Sequence, residues 1–117
     1  LLIDEIPVIA ACALFAEGKT EVRNARELRV KESDRIAAVV QMVRSFGGSI
    51  RELDDGFVVR GGSPLRPARV DSFMDHRIAM AAAVVACAVR GRSRISRAEA
   101  ASVSFPEFYE LLDRVCV

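Results

Sequence analysis

The feature that most constrains the fold is an internal repeat, in which a wholly apolar run is closed by a glycine. Residues 6–16 and 78–89 carry no charge, and each run is followed within two positions by Gly18 or Gly91. A helix that is apolar on all sides must be buried, and glycine commonly ends a helix. Alternating, strand-like residues follow each glycine. The sequence therefore predicts two central helices, with sheets and amphipathic helices outside them.

The segments around these two runs complete the repeat. The further predicted elements are two strands after the glycines, two amphipathic helices, a hairpin and a third strand: residues 20–24, 93–97, 36–46, 108–115, 49–60 and 68–72. Asp55-Gly56 is a hairpin signal, and residues 104–107 have the pattern of a helix capping box. One helix–strand–helix–hairpin unit thus occurs about one and a half times. Repeated units bury their faces against neighbours, so the predicted class is α+β.

Charge and composition exclude two classes of function. The chain has 17 basic and 16 acidic residues, whereas a nucleic-acid binder normally has a clear basic excess. Six Phe, one Tyr and no Trp supply few rings on which bases could stack. Both apolar runs are shorter than the roughly 20 residues that span a bilayer. The composition predicts neither a nucleic-acid nor a membrane partner.

Cysteine and histidine are too few and too scattered for a metal site. The three cysteines are Cys12, Cys87 and Cys116, and there is one histidine, His76. A metal site needs clustered ligands, so no metal is predicted. An odd number of cysteines without the spacing of a disulfide scaffold favours reduced, packed thiols and a cytoplasmic location. The Met and Phe residues are expected in the core.

Charged residues stand where three helices are predicted to begin. These stretches are Asp4-Glu5, Lys31 to Arg35 and Asp75-His76-Arg77. Acids are favourable at helix N-termini, whereas a cation there opposes the helix dipole by about 0.3–1 kcal/mol. Bound phosphate or carboxylate would offset that cost. The pattern predicts a site for a small anionic molecule, with carboxylates available for proton transfer.

A plainer interpretation of the same residues stays open at this point. Asp4 is a good N-cap, and the charges from Lys31 to Arg35 could pair with one another on the surface. Asp75 could cap a helix that begins with an exposed pair of basic residues. A lone histidine such as His76 is more often structural than catalytic.

Four segments resemble the 5-enolpyruvylshikimate-3-phosphate (EPSP) synthase family. Leu-Arg-Val-Lys-Glu-Ser-Asp-Arg-Ile at 28–36 is similar to one signature of that family, and 71–80 is similar to a second. Residues 2–7 and 103–108 match family segments in the same order. The resemblance covers essentially the whole chain, but only the last part of a longer protein. It implies that residues 1–117 are the C-terminal part of the second domain, built of βαβαββ units, and that the N-terminal domain is absent.

The resemblance implies an enzyme of the shikimate pathway, which leads to chorismate and the aromatic amino acids. Members transfer the enolpyruvyl group of phosphoenolpyruvate to the 5-hydroxyl of shikimate-3-phosphate and release phosphate. The reaction passes through a tetrahedral intermediate, without a cofactor or a required metal. Because the substrates bind between two domains, the chain alone is expected to be inactive.

The resemblance also implies roles for individual residues. Asp4 matches the carboxylate that holds shikimate hydroxyls and takes the proton from the 5-hydroxyl. Glu32 matches the acid that protonates the methylene carbon of phosphoenolpyruvate. Lys31 matches a lysine that contacts substrate and assists proton transfer. These three residues are the predicted catalytic group.

Two further cations complete the predicted site. Arg35 and Arg77 match the pair that binds the anionic groups of phosphoenolpyruvate, where the herbicide glyphosate would compete, and His76 is expected to support them. The chain departs from some relatives at two positions. Val103 stands where they have a lysine, and Glu27 where they have an asparagine, so neither is assigned a role.

Two alternatives belong to other classes. A UDP-N-acetylglucosamine enolpyruvyl transferase is related, but its lineage lacks both the Lys31–Arg35 string and the Asp-His-Arg triplet. A stand-alone binding module for RNA or a protein partner is the second alternative. The near-zero net charge of the chain and its few aromatic rings disfavour RNA binding.

Overall fold

Two helices packed against each other form the centre of the structure, a computed structural model that describes residues 5–31 and 33–96. The elements in chain order are α1 (Ile6–Ala13), β1 (Lys19–Val22), a 3-10 helix (Arg26–Val30), α2 (Arg35–Ser45), β2 (Ser49–Leu53), β3 (Gly56–Arg60), β4 (Arg69–Asp71), α3 (His76–Ala88) and β5 (Arg94–Ser96). The central pair is α1 and α3, whose buried faces are rich in alanine. This arrangement confirms the predicted central helices and the α+β class.

The first helix is shorter than predicted. It ends at Ala13 instead of continuing through residue 16, because the backbone N–H groups of Phe15 and Ala16 donate to carbonyls three residues back. Such bonds tighten the last turn of a helix. Gly18 then adopts a φ of 101°, which favours glycine. Phe15, expected in the core, is consequently 49% exposed.

The hairpin lies in a three-stranded antiparallel sheet of order β1-β3-β2. Leu53 pairs with Gly56, so Asp54 and Asp55 form the turn and Gly56 already belongs to β3. A Cβ atom at Gly56 would lie 1.8 Å from the carbonyl oxygen of Val22. The hairpin prediction is confirmed, but this glycine is needed for close approach of the neighbouring strand rather than for the turn.

The second sheet supports the predicted repeat. Strands β4 and β5 pair in parallel, with Val70 opposite Ile95, and α3 connects them. Gly91 follows α3 with a φ of 106°, close to the value at Gly18 after α1. Helix, glycine and strand therefore recur in the same order. The predicted capping box and amphipathic helix at 104–115 lie outside the described residues.

The amphipathic helix α2 connects the layers. Its predicted apolar face is buried, as Ile36, Val39, Val40, Val43 and Phe46 are each at most 3% exposed. The helix packs against α1 and α3 and against strands β2, β3 and β4. The N-terminus of α2 is consequently held in the same core as the N-terminus of α3.

The expectation that all three thiols are reduced is wrong. Cys87 is disulfide-bonded, and it lies exposed near the end of α3 rather than packed in the core. Cys12 is a free, exposed thiol on α1. In the described part of the chain, every helix is too short or too polar to cross a membrane.

Candidate active site

The two charged signature segments meet at the N-termini of α2 and α3. Asp34 caps α2, where its side chain accepts a hydrogen bond from the backbone N–H of Ala37 at 3.1 Å. Asp75 caps α3 and accepts from the backbone N–H of Arg77 at 3.0 Å. The Nε of Arg35, the first residue of α2, donates to Oδ2 of Asp75 at 2.8 Å. This ion pair joins residues 40 positions apart and brings both predicted helix starts together.

Asp75 is the centre of this cluster. Its Oδ2 also accepts from the Ser33 hydroxyl at 2.7 Å, so the carboxylate receives bonds from two side chains and one backbone N–H. Asp75 and Arg35 are 0% and 1% exposed. Burial alone would raise the pKa of Asp75, but the hydrogen bonds from Arg35 and Ser33, the charge of Arg35 and the N–H of Arg77 outweigh it and lower the pKa. Asp75 is therefore held as the carboxylate.

The lowered pKa of Asp75 predicts acid-sensitive stability. A depressed pKa in the folded state contributes stability above the ordinary value of 3.8, and that stability is lost as pH falls through the folded value. We expect the free energy of unfolding, measured by urea titration, to fall as pH is lowered from about 5 to about 3. Asp55, whose pKa is also lowered, contributes in the same window.

The matched variant for this pH series is Asp75→Asn. Its neutral amide cannot be protonated in this range, so its stability should depend less steeply on pH than that of the parent. An identical slope in both proteins would contradict the role given to Asp75.

Arg29 anchors the chain just before the predicted catalytic lysine. Its guanidinium donates to the carboxylates of Glu52 at 2.8 Å and Asp34 at 3.1 Å, and to the carbonyl of Leu53 at 2.7 Å. These bonds tie the 3-10 helix to the hairpin and to the start of α2. Lys31 is thus flanked by two fixed points, Arg29 on one side and Ser33 on the other. Sequence reasoning missed Arg29, because three of its four acceptors are distant along the chain.

The remaining predicted site residues divide into two groups. Lys31, His76 and Arg77 are partly exposed beside the joined helix starts. Asp4 and Glu32 lie outside the described residues, although Glu32 is bracketed in sequence by Lys31 and Ser33. Arg35 is buried and paired with Asp75.

A strained loop borders the site. Phe73 and Met74, between β4 and α3, have φ values of 55° and 58°, a conformation rare for non-glycine residues. Phe73 and Met74 are 37% and 48% exposed, so the expectation that all Phe and Met residues lie in the core is wrong for both. Phe73 lines a cavity of about 170 Å³ with residues at the start of α2.

The described residues contain no cluster of three or more His, Cys, Asp or Glu side chains arranged to hold a metal ion. The cluster at the helix starts offers instead cations, backbone N–H groups and one buried carboxylate. Such an arrangement suits an anionic organic ligand.

Comparison with known proteins decides the family. Residues 1–112 match the profile of the family described as EPSP synthase (3-phosphoshikimate 1-carboxyvinyltransferase). This chain belongs to the EPSP synthase family. The resemblance noted in the sequence is therefore confirmed.

Individual relatives agree with the family match. A 3-phosphoshikimate 1-carboxyvinyltransferase of Synechocystis sp. is 54% identical over 114 residues, which is 97% of this chain and 26% of that protein. One of Crocosphaera subtropica is 50% identical over 115 residues, 98% of this chain and 26% of that protein. The EPSP synthase of Acinetobacter baumannii superposes with a TM-score of 0.93 at 34% identity, covering 99% of this chain and 28% of that structure. The chain thus spans about a quarter of the length of the relatives it matches.

Proposed function

We propose that this chain forms one wall of the active site of a 3-phosphoshikimate 1-carboxyvinyltransferase. The complete enzyme would transfer the enolpyruvyl group of phosphoenolpyruvate to the 5-hydroxyl of shikimate-3-phosphate and release phosphate. The observation that carries the proposal is the Arg35–Asp75 ion pair, which unites the helix starts of both family signatures. The pathway would be the shikimate route to chorismate and the aromatic amino acids.

The charge arrangement suits anionic substrates and a charged intermediate. The N-termini of α2 and α3 converge, and their dipoles favour negative charge between them. Arg77 is partly exposed there, while Arg35 is buried and paired with Asp75. Preorganised positive charge of this kind stabilises a developing anion at no cost of reorganisation. Arg35 and Arg77 would therefore hold the anionic groups of phosphoenolpyruvate, and glyphosate would compete there.

The proton transfers would use the three predicted catalytic residues. Asp4 would take the proton from the 5-hydroxyl as its oxygen attacks phosphoenolpyruvate, and Glu32 would protonate the methylene carbon. Lys31 would contact the substrate and assist. The tetrahedral intermediate would then lose phosphate while the Glu32 carboxylate takes a proton back from the methyl carbon, so that the double bond forms again. His76 would support the neighbouring Arg77.

The proposal assigns residues 1–117 to the C-terminal part of the second domain and requires a complementary N-terminal portion as partner. Since substrates would lie between the domains, the chain alone should show no turnover.

We also propose a cytoplasmic location without nucleic-acid or membrane partners. The disulfide at Cys87 is unusual for a reducing compartment. Free-thiol titration of protein purified from cells under alkylating conditions tests whether Cys87 is oxidised there.

Reconstitution tests the activity. The chain is produced together with the part of the Synechocystis enzyme that it does not match, about three quarters of that protein, and phosphate release is followed with both substrates. We expect release from the mixture and none from either part alone. Turnover by the chain alone would contradict the need for a partner. The absence of release from the mixture would contradict the proposed function.

A binding comparison separates the enzyme from the RNA-binding alternative. Calorimetry of the reconstituted mixture with shikimate-3-phosphate should give saturable heat. In a filter-binding assay at moderate salt, the same mixture should retain no RNA. The opposite pair of results would favour the binding module.

A further inference from the structure

Asp75 has no part in the proton transfers proposed above, yet the contacts of the site converge on it. One carboxylate oxygen accepts from Ser33 and Arg35, both at the start of α2. The other accepts from the backbone N–H of Arg77, in the first turn of α3. A single rigid group of three atoms therefore sets how the two helix starts lie relative to each other.

The second helix cap shows that capping alone does not require these contacts. Asp34 caps α2 from an exposed position and binds the N–H of Ala37 and the guanidinium of Arg29. Asp75 is fully buried and uses its charge to neutralise an equally buried guanidinium. Asparagine or serine would cap α3 equally well, but neither would supply that charge.

We propose that Asp75 is a positioning residue for the binding of phosphoenolpyruvate. Its carboxylate holds the buried Arg35 guanidinium at the start of α2 and the backbone N–H of Arg77 at the start of α3, so that one anionic ligand bound at the joined helix starts is within reach of both. Through Ser33 it also holds the chain next to Glu32. This role rests on the proposed function and adds to it a residue that does not touch the substrate.

The test uses the reconstituted enzyme and compares Asp75→Asn with Asp54→Asn. The amide keeps the size and one cap acceptor but removes the charge that balances Arg35. We expect the KM for phosphoenolpyruvate to rise about tenfold or more, with the KM for shikimate-3-phosphate within about twofold of the parent, since loss of one partner of a buried charge pair is costly at a binding site. Asp54, whose side chain is 94% exposed, is the matched control and should leave both KM values unchanged.

The split between the two KM values distinguishes positioning from mere structural support. Partial unfolding lowers the amount of active enzyme and hence the maximal rate, but leaves the KM of the folded fraction unchanged. If Asp75→Asn lowers only the maximal rate, or raises both KM values equally, the inference is overturned.

Ser33→Ala provides a second variant that removes one hydrogen bond and leaves the ion pair. We expect a smaller rise in the KM for phosphoenolpyruvate, about threefold to tenfold, again without a change for shikimate-3-phosphate. If Asp75→Asn does not fold, an unchanged KM in Ser33→Ala still overturns the inference. Absence of phosphate release in the unmodified mixture would instead mean that the proposed function fails.

Discussion

Replacing Arg35 with methionine is expected to lower the free energy of unfolding by about 3–5 kcal/mol. Methionine fills similar space, so the change removes the charge and the Nε donor more than the packing. Asp75 would remain 0% exposed without its counter-charge. Breaking a buried pair is costly mainly because the abandoned charge cannot reach water. Urea titration of the purified chain at neutral pH measures the loss.

Two further variants control this experiment. Arg44→Met changes an exposed arginine on the same helix and should cost less than about 1 kcal/mol. Arg35→Met combined with Asp75→Asn should recover part of the loss, because the buried position is then neutral. Equal losses at Arg35 and Arg44 would show that the buried pair does not stabilise the fold.

Glu32→Gln is expected to lower the rate of phosphate release by the reconstituted enzyme about 10²–10⁴-fold, the usual contribution of a positioned acid or base. Glutamine keeps the shape of the side chain and removes the proton that would pass to the methylene carbon. The neighbouring Ser33 is anchored to Asp75 and so limits rearrangement of the backbone on that side. Asp4→Asn should produce a loss of similar size through the opposite proton transfer.

Glu17→Gln serves as the control for this pair. Glu17 is exposed after α1 and lies outside the four family segments, and its substitution should leave the rate within twofold. A rate for Glu32→Gln equal to that of the control would remove Glu32 from the proposed mechanism. Urea titration of each variant excludes loss of folded protein as the cause.

Much of the fold was predictable from local patterns. The apolar spacing of α2, the hairpin and the recurrence of helix, glycine and strand all depend on residues close together in the chain. Glycine at the helix ends has a local cause as well, since Gly18 and Gly91 adopt positive φ. Such local features form regardless of which other elements pack against them.

Three other features escaped prediction, and two of them depend on distant neighbours. Gly56 is required by the backbone of Val22, not by the turn beside it. Phe73 lies exposed because the loop before α3 turns through a left-handed conformation. Arg29 binds acceptors that lie 5 to 25 positions away. The contact at Gly56 and three of the four Arg29 acceptors lie far along the chain, so the nearby sequence gives no signal for them.

The site shows the same division between local and long-range causes. The family signatures and the charges at predicted helix starts could be recognised from the sequence, because helix capping and anion binding are properties of a few adjacent positions. Only the packing of α2 against α3 decided that Arg35 is buried and that it pairs with Asp75 rather than with the adjacent Asp34. The physical reason is that an ion pair in the core depends on which side chains are excluded from water together, and that exclusion is a property of the assembled fold.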